Sequence, residues 1–165
     1  MGVITIREPS ATDASVLADL HVQTWREAYG HLLPAGFFTP AFVEGRHRMW
    51  THVLADARTD MTVRVADAEG TVVGFAWAGP TVTSGAAPPH RERQLYAIYV
   101  MAAHHGSGAG QSLLDAVLGT GPAELWVAKE NPRAIAFYRR NGFAFDGLEQ
   151  IDPTAPLITD ARMVR

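Results

Sequence analysis

The sequence contains no cysteine. Disulfides, thiolate metal sites and cysteine nucleophiles are therefore excluded. It also has no apolar run approaching the roughly 20 residues that span a bilayer, so no membrane partner is expected. Basic excess is lacking too: 14 Lys and Arg face 17 Asp and Glu, for a net charge of −3 and a sequence pI of about 6.1. That balance argues against nucleic acid, whose partners usually present a basic surface. Residues 1–10, MGVITIREPS, lack the basic segment and apolar core of a secretory leader, so the expected compartment is the cytoplasm. Internal repeats, linkers and low-complexity tracts are absent as well. What remains is a chain of 165 residues, 47% apolar and 19% charged, suited to one globular domain over 1–165.

Hydrophobic periodicity divides the chain into alternating elements. Residues 3–7 alternate and are β-branched, which predicts a strand. Ser10 or Thr12 caps a helix that runs to about Tyr29, with Leu17, Leu20, Thr24 and Ala28 on one face and Trp25 beside it. Gly30, Pro34 and Gly36 end it and open an irregular segment. A second helix follows Thr39-Pro40 and carries Phe42, Met49, Trp50, Val53 and Leu54. Residues 61–67 and 71–78 form a hairpin around Glu69-Gly70. A loop over 80–92 is punctuated by Ser84-Gly85 and Pro88-Pro89. Residues 94–100 are a central strand, 111–118 a helix, 124–128 a strand and 132–140 a helix ended by Asn141-Gly142. Residues 143–147 and 159–164 are the last strands. The pattern predicts an α/β fold (α+β, mixed sheet) of about 6–7 strands and about 4 helices.

The informative stretch is YVMAAHHGSGAG, residues 99–110. A buried strand runs into a turn with Gly106, Gly108 and Gly110, then into a helix. Alternate glycines let backbone approach a ligand, and a helix start leaves N–H groups unpaired. Together they form a site suited to a phosphate or pyrophosphate. The dinucleotide pattern G-x-G-x-x-G does not fit, because its third glycine would fall on Gln111. The P-loop pattern fails too, because no Gly-Lys-Ser/Thr follows. A second stretch, AKENPRAIAFYRRNGF, lies some twenty residues on, at 128–143.

With both stretches in order, the chain resembles the GCN5-related N-acetyltransferase (GNAT) superfamily. The family's Gln/Arg-x-x-Gly-x-Gly/Ala motif reads His105-Gly106-Ser107-Gly108-Ala109-Gly110, with His at the first position. Asn131, Phe137-Tyr138 and Gly142-Phe143 match the next motif at the family's spacing. Trp25-Arg26-Glu27-Ala28-Tyr29 with Leu33-Pro34 also resembles a group of bacterial members. The resemblance implies a mostly antiparallel sheet with one splayed parallel pair, and acetyl-CoA as co-substrate. The pantetheine arm would lie in the splay against the backbone of Ile98, Tyr99 and Val100, with an N–H near Val100 polarising the thioester carbonyl. N–H groups from His105 to Gly110, with Gln111, would hold the pyrophosphate. Asn131 would bond the pantetheine amides, or serve as a helix cap beside Pro132. Phe137 and Tyr138 would flank the cofactor, with Phe137 toward the core and Tyr138 the catalytic group at the sulfur.

A tyrosine of pKa about 10 and a thiol of about 8.5 make full proton transfer uphill by roughly 2 kcal/mol, so a hydrogen bond to the thiolate is the main role expected. Trp25, Tyr29, Leu33 and Phe37 would line the acceptor side, or be ordinary core; Trp25 and Tyr29 are the substrate contacts singled out. The family's glutamate position before the Asn is Trp126 here. Glu124, Glu92, His104, Tyr96 and Glu130 stand as candidate bases. His47 and His52 are five apart and His104-His105 has no nearby carboxylate, so no metal is expected. The implied activity is acetyl transfer from acetyl-CoA to a primary amine on a small molecule, protein or peptide terminus. A non-catalytic acyl-CoA sensor is the alternative. Exposed sheet edges and family habit suggest a homodimer.

Overall fold

The computed structural model describes every residue except Met1, Ala57, Ser84 and Ala86. Ser84 of the expected Ser-Gly breaker, and Met1 of the stretch read for a leader, thus lie outside the described residues. Seven strands form one sheet in the order β1-β2-β3-β4-β5-β7-β6. They are β1 (Ile4–Arg7), β2 (Thr62–Ala68), β3 (Thr71–Pro80), β4 (Arg93–Val100), β5 (Glu124–Ala128), β6 (Ala144–Ile151) and β7 (Thr159–Val164). Among the described residues, only β4 and β5 pair in parallel. The helices are α1 (Ala14–Tyr29), α2 (Pro40–Ala55), α3 (Ala109–Leu118) and α4 (Pro132–Arg140).

The two faces of the sheet carry separate cores. One joins Leu17 and Ala18 of α1 to Trp50 of α2 and to Val65 and Phe75 of the sheet, all fully buried. The other joins Leu113 and Leu114 of α3 to Leu125, Met163, Tyr138 and Phe143. Each large side chain withdrawn from water contributes about 1.5–3 kcal/mol. The helix starts explain the entry angles. Asp13 Oδ2 accepts the Ser10 N–H at 2.7 Å and pairs with Arg7 at 2.8 Å. Ser10 thus opens a short 3₁₀ turn, and α1 itself begins after Asp13. At α2, Thr39 Oγ1 accepts the Phe42 N–H at 3.1 Å and Pro40 takes the first turn.

Several strand boundaries move by one or two residues from the sequence expectation, as where β3 runs on to Pro80, and two differences have a clear local cause. Helix α3 begins at Ala109 rather than Gln111, because the left-handed Gly108 (φ 87°) already closes the turn. Strand β6 runs on to Ile151 rather than stopping at Gly147. That glycine (φ 94°) sits in a register shift between Phe145 and Glu149, so it marks a bulge and not an end.

Candidate active site

Strands β4 and β5 pair at only two positions, Gln94 with Glu124 and Leu95 with Leu125, and then part. A bulge starts the divergence. Trp77 faces Ala97 but Ala78 faces Leu95, which leaves Tyr96 out of the β3–β4 pairing. The Tyr96 ring lies over Gly79, where a Cβ would come within 2.6 Å of its hydroxyl. That hydroxyl donates to the Pro80 carbonyl. Tyr96, a candidate base, is therefore committed to holding the bulge.

Beyond the bulge the backbone alternates. The Met101 N–H donates to the Val73 carbonyl at 2.8 Å, so residues 101, 99 and 97 bond toward β3. Ile98 and Val100 turn their N–H groups into the gap. Tyr99, expected beside them, has its backbone engaged with Phe75. The Val100 carbonyl accepts the His105 Nε2–H at 2.9 Å. Arg133 of α4 donates to Nδ1 of the same imidazole. The ring is thus a neutral Nε2–H tautomer, and a guanidinium from α4 stands beside the position where the family motif has Gln or Arg.

The turn itself has φ of 78° at Gly106 and 87° at Gly108, and a Cβ at either would meet nothing within 4 Å. Backbone conformation, not crowding, demands glycine there, and any side chain would project into open space before the helix. Within the turn, His105 and Ser107 N–H groups bond to Ala102 and His104 carbonyls, and Ala109 N–H reaches Ser107 Oγ at 3.3 Å. Among the described residues, the N–H groups of Gly106, Gly108, Gly110 and Gln111 make no hydrogen bond, and the three glycines line the cleft.

Asn131 does two things with one amide. Its Oδ1 caps α4 by accepting the Ala134 N–H at 3.1 Å, and its Nδ2 donates to the Tyr29 hydroxyl at 3.2 Å. Its backbone carbonyl also accepts the Ile135 N–H at 3.2 Å, so side chain and backbone share the helix start. One Nδ2 proton and one Oδ1 lone pair remain for a ligand. Trp25 Nε1 donates to the Tyr99 hydroxyl at 2.9 Å. Tyr138 is only 7% exposed, and its hydroxyl has no hydrogen-bond partner among the described residues. Burial, reinforced by Tyr99 and Tyr29, raises its pKa above the ordinary tyrosine value. Contrary to the expected division, Tyr138 sits in the α3–α4 core while Phe137 is partly exposed; both also reach the gap.

These groups converge on one cleft of about 690 Å³. Its wall includes Trp25, Tyr29, Ile98, Tyr99, Val100, His105, Gly106, Gly108, Ala109, Gly110, Asn131, Phe137 and Tyr138. Ser107, Gln111 and Leu33 are not on it. The acetyltransferase (GNAT) family model matches residues 21–143, three quarters of the chain. The chain belongs to the GNAT acetyltransferase family. An uncharacterised N-acetyltransferase of Bacillus subtilis, YuaI, is 30% identical over 144 residues, covering 83% of this chain and 78% of that one. A Mycobacterium tuberculosis N-acetyltransferase, also uncharacterised, is 33% identical over 81 residues, 46% of this chain and 52% of its own. Among solved structures, PaiA N-acetyltransferase of Thermoplasma acidophilum with coenzyme A aligns at TM-score 0.67 and 20% identity, over 99% of this chain and 98% of that one.

GNAT enzymes use acetyl-CoA, and this cleft suits it. A splayed strand edge with free N–H groups leads to a glycine turn whose open space a Cβ would fill. When bound, acetyl-CoA brings an activated acyl carbon. Ile98 and Val100 would hold its arm, and Arg133 with the α3 start would hold its phosphates.

The candidate bases fare unequally in this GNAT cleft. Glu124 is 1% exposed and accepts the His90 and Arg91 N–H groups at 2.7 and 2.9 Å, a structural role away from the cleft. Glu92 is exposed and off the wall, and Glu130 accepts the Thr159 N–H. His104 does line it. Tyr29 is core, packed with Ala128, Ala155 and Ile158, while Trp25 and Phe37 lie with parallel rings, partly buried against the same cluster. Sequence reasoning missed Arg133 and Asp160, both on the wall. Arg133 stood two residues after Asn131 and was readable as one more helix charge. Asp160 carried no signal, since only the β5–β7 register brings it opposite Ala128.

Proposed function

We propose that this chain moves the acetyl group of acetyl-CoA directly onto a primary amine of a small molecule or of a protein or peptide terminus. The observation that carries this reading is the parting of β4 and β5 after two paired residues, leading straight to the open N–H groups before α3. The coenzyme A held by PaiA on the same fold supports it. The amine nitrogen attacks the thioester carbonyl carbon; the C–N bond forms, the C–S bond breaks with its electron pair leaving on sulfur, and the proton shed by the nitrogen passes through water to give the free thiol. The N–H groups of Ile98 and Val100 face the carbonyl oxygen as it gains charge. Tyr138 stays protonated at every working pH because its pKa is raised, so it donates a hydrogen bond to the leaving sulfur. With no cysteine to carry the acyl group, one ternary complex is the route.

The compartment we propose is the cytoplasm, in keeping with its acetyl-CoA supply. The assembly we propose is a homodimer through edge strand β6, where Phe145 and Ile151 are exposed; a monomeric mass by light scattering would overturn it. The reaction is tested by calorimetric titration of acetyl-CoA into wild type and Gly108→Trp, with thiol release measured across an amine panel. Binding lost in the variant and amine-dependent thiol release support the reading. No binding to wild type overturns it, and binding without turnover on any amine makes the protein a sensor.

A further inference from the structure

The charged groups on the cleft wall fall into two sets, apart from Glu27, whose Oε2 accepts the Ala102 N–H at 2.9 Å. The cations, Arg133 and Arg140, come from α4 beside the glycine turn. Across the sheet, beside Trp25, Tyr29 and Phe37, the wall carries Asp152 and Asp160. Asp152 is engaged, with its Oδ1 accepting from the Thr154 N–H and hydroxyl at 2.8 and 2.7 Å. Glu130 behind it is tied to Thr159. Asp160 is different: it is half-buried and has neither ion pair nor side-chain hydrogen bond among the described residues. Burial, with Glu130 and Asp152 nearby, raises its pKa above the usual carboxylate value. A second polar group in this cleft is also unanswered: the Tyr138 hydroxyl, on a residue more than nine-tenths buried. The Tyr138 hydroxyl is the group assigned above to the donor's sulfur, which leaves the Asp160 carboxylate as the open charge on the acceptor side.

A carboxylate here can meet one of two partners: the attacking nitrogen, whose proton it would take as a base, or a second cation that it would hold in place. Loss of a base lowers kcat for every amine, whereas loss of a counter-ion raises KM for acceptors that carry the second cation. The aromatic wall beside Asp160 suits an apolar stem ending in a cation. We propose that the acceptor is a small molecule with two amino groups, and that Asp160 holds the ammonium that does not react. Trp25, Tyr29 and Phe37 then enclose the apolar stem between the two nitrogens. Asp160 is a binding and specificity residue, not the base.

This inference rests on the acetyltransferase reading, and its test separates the two. Butane-1,4-diamine and 1-aminobutane, matched in length, are compared as acceptors for wild type and Asp160→Asn. The same diamine is titrated calorimetrically into the protein saturated with coenzyme A. Wild type should favour the diamine by about tenfold or more in kcat/KM, mainly through KM, the equivalent of one partly desolvated ion pair. In Asp160→Asn the ratio should fall to near one, while acetyl-CoA affinity and the melting temperature hold. Equal use of both amines by wild type overturns the proposal, as does a preference that survives the substitution. If neither amine turns over, Asp160-dependent diamine binding upholds the site and sinks the activity, whereas absent binding overturns the site.

Discussion

The two halves of the cleft are built by different means. The donor half is mostly backbone: the Ile98 and Val100 edge, the Gly106–Gly108 turn and the open N–H groups before α3. The acceptor half is side chains: Trp25 and Tyr29 from α1, Phe37 from the following loop, Asp160 from β7. Backbone recognises what every donor molecule shares, while side chains change with what each acceptor demands. A fold can therefore keep one half and vary the other without moving a strand.

The largest effect expected lies in the donor half. Gly108→Trp should abolish calorimetric binding of acetyl-CoA, because an indole would fill the space before α3; retained micromolar binding would break the contrast. Tyr138→Phe comes next. It should lower kcat by about 100-fold while donor affinity stays within twofold, since it removes a donor and no packing. Unchanged kcat would reduce Tyr138 to a core aromatic. The third effect lies in the α1–α2 core behind the acceptor half and is read by pH. His21 on α1 is buried against Trp50, Phe75 and Tyr99, accepts the Trp50 Nε1–H at 3.3 Å, and burial pushes its pKa down to about 3. Between that value and about 6.5 the unfolded chain holds the extra proton. Stability is therefore complete above pH 6.5 and falls below it by up to about 1.4 kcal/mol per unit. Denaturant melts from pH 7 to 4 on wild type and His21→Phe check this, and the variant should flatten the slope. The smallest effect is Asn131→Ala, which removes the α4 cap at about 1 kcal/mol. A fall of roughly 2–4 °C in melting temperature, with a larger fall in donor affinity, would separate its two duties.

This division explains what could be read before the structure. The glycine turn and the Asn131 to Tyr138 spacing are local, because backbone sites are made by short runs of chain; they were legible as a motif. The elements followed from periodicity, with the main exceptions at Ala109 and Ile151. The acceptor half was legible only in part. Trp25 and Tyr29 were visible because they share one helix. Asp160 was not, because its place depends on the β5–β7 register that sets it opposite Ala128, far back in the chain. Asn131 shows a subtler limit: its capping role and its contact to Tyr29, 102 residues away, use different atoms of one amide.

The two paired residues between β4 and β5 have a mechanical consequence. The sheet is two plates, one of β1 to β4 and one of β5, β7 and β6, laced together by a short seam at Leu95 and Leu125. A donor threaded along the Ile98–Val100 edge would act as the missing strand and lengthen that seam. At a hundred times its dissociation constant it would add about 2.7 kcal/mol to the folded state. The slowing of amide hydrogen exchange should then concentrate at the amides of 98 and 100, and spread into β5 as the plates stop parting.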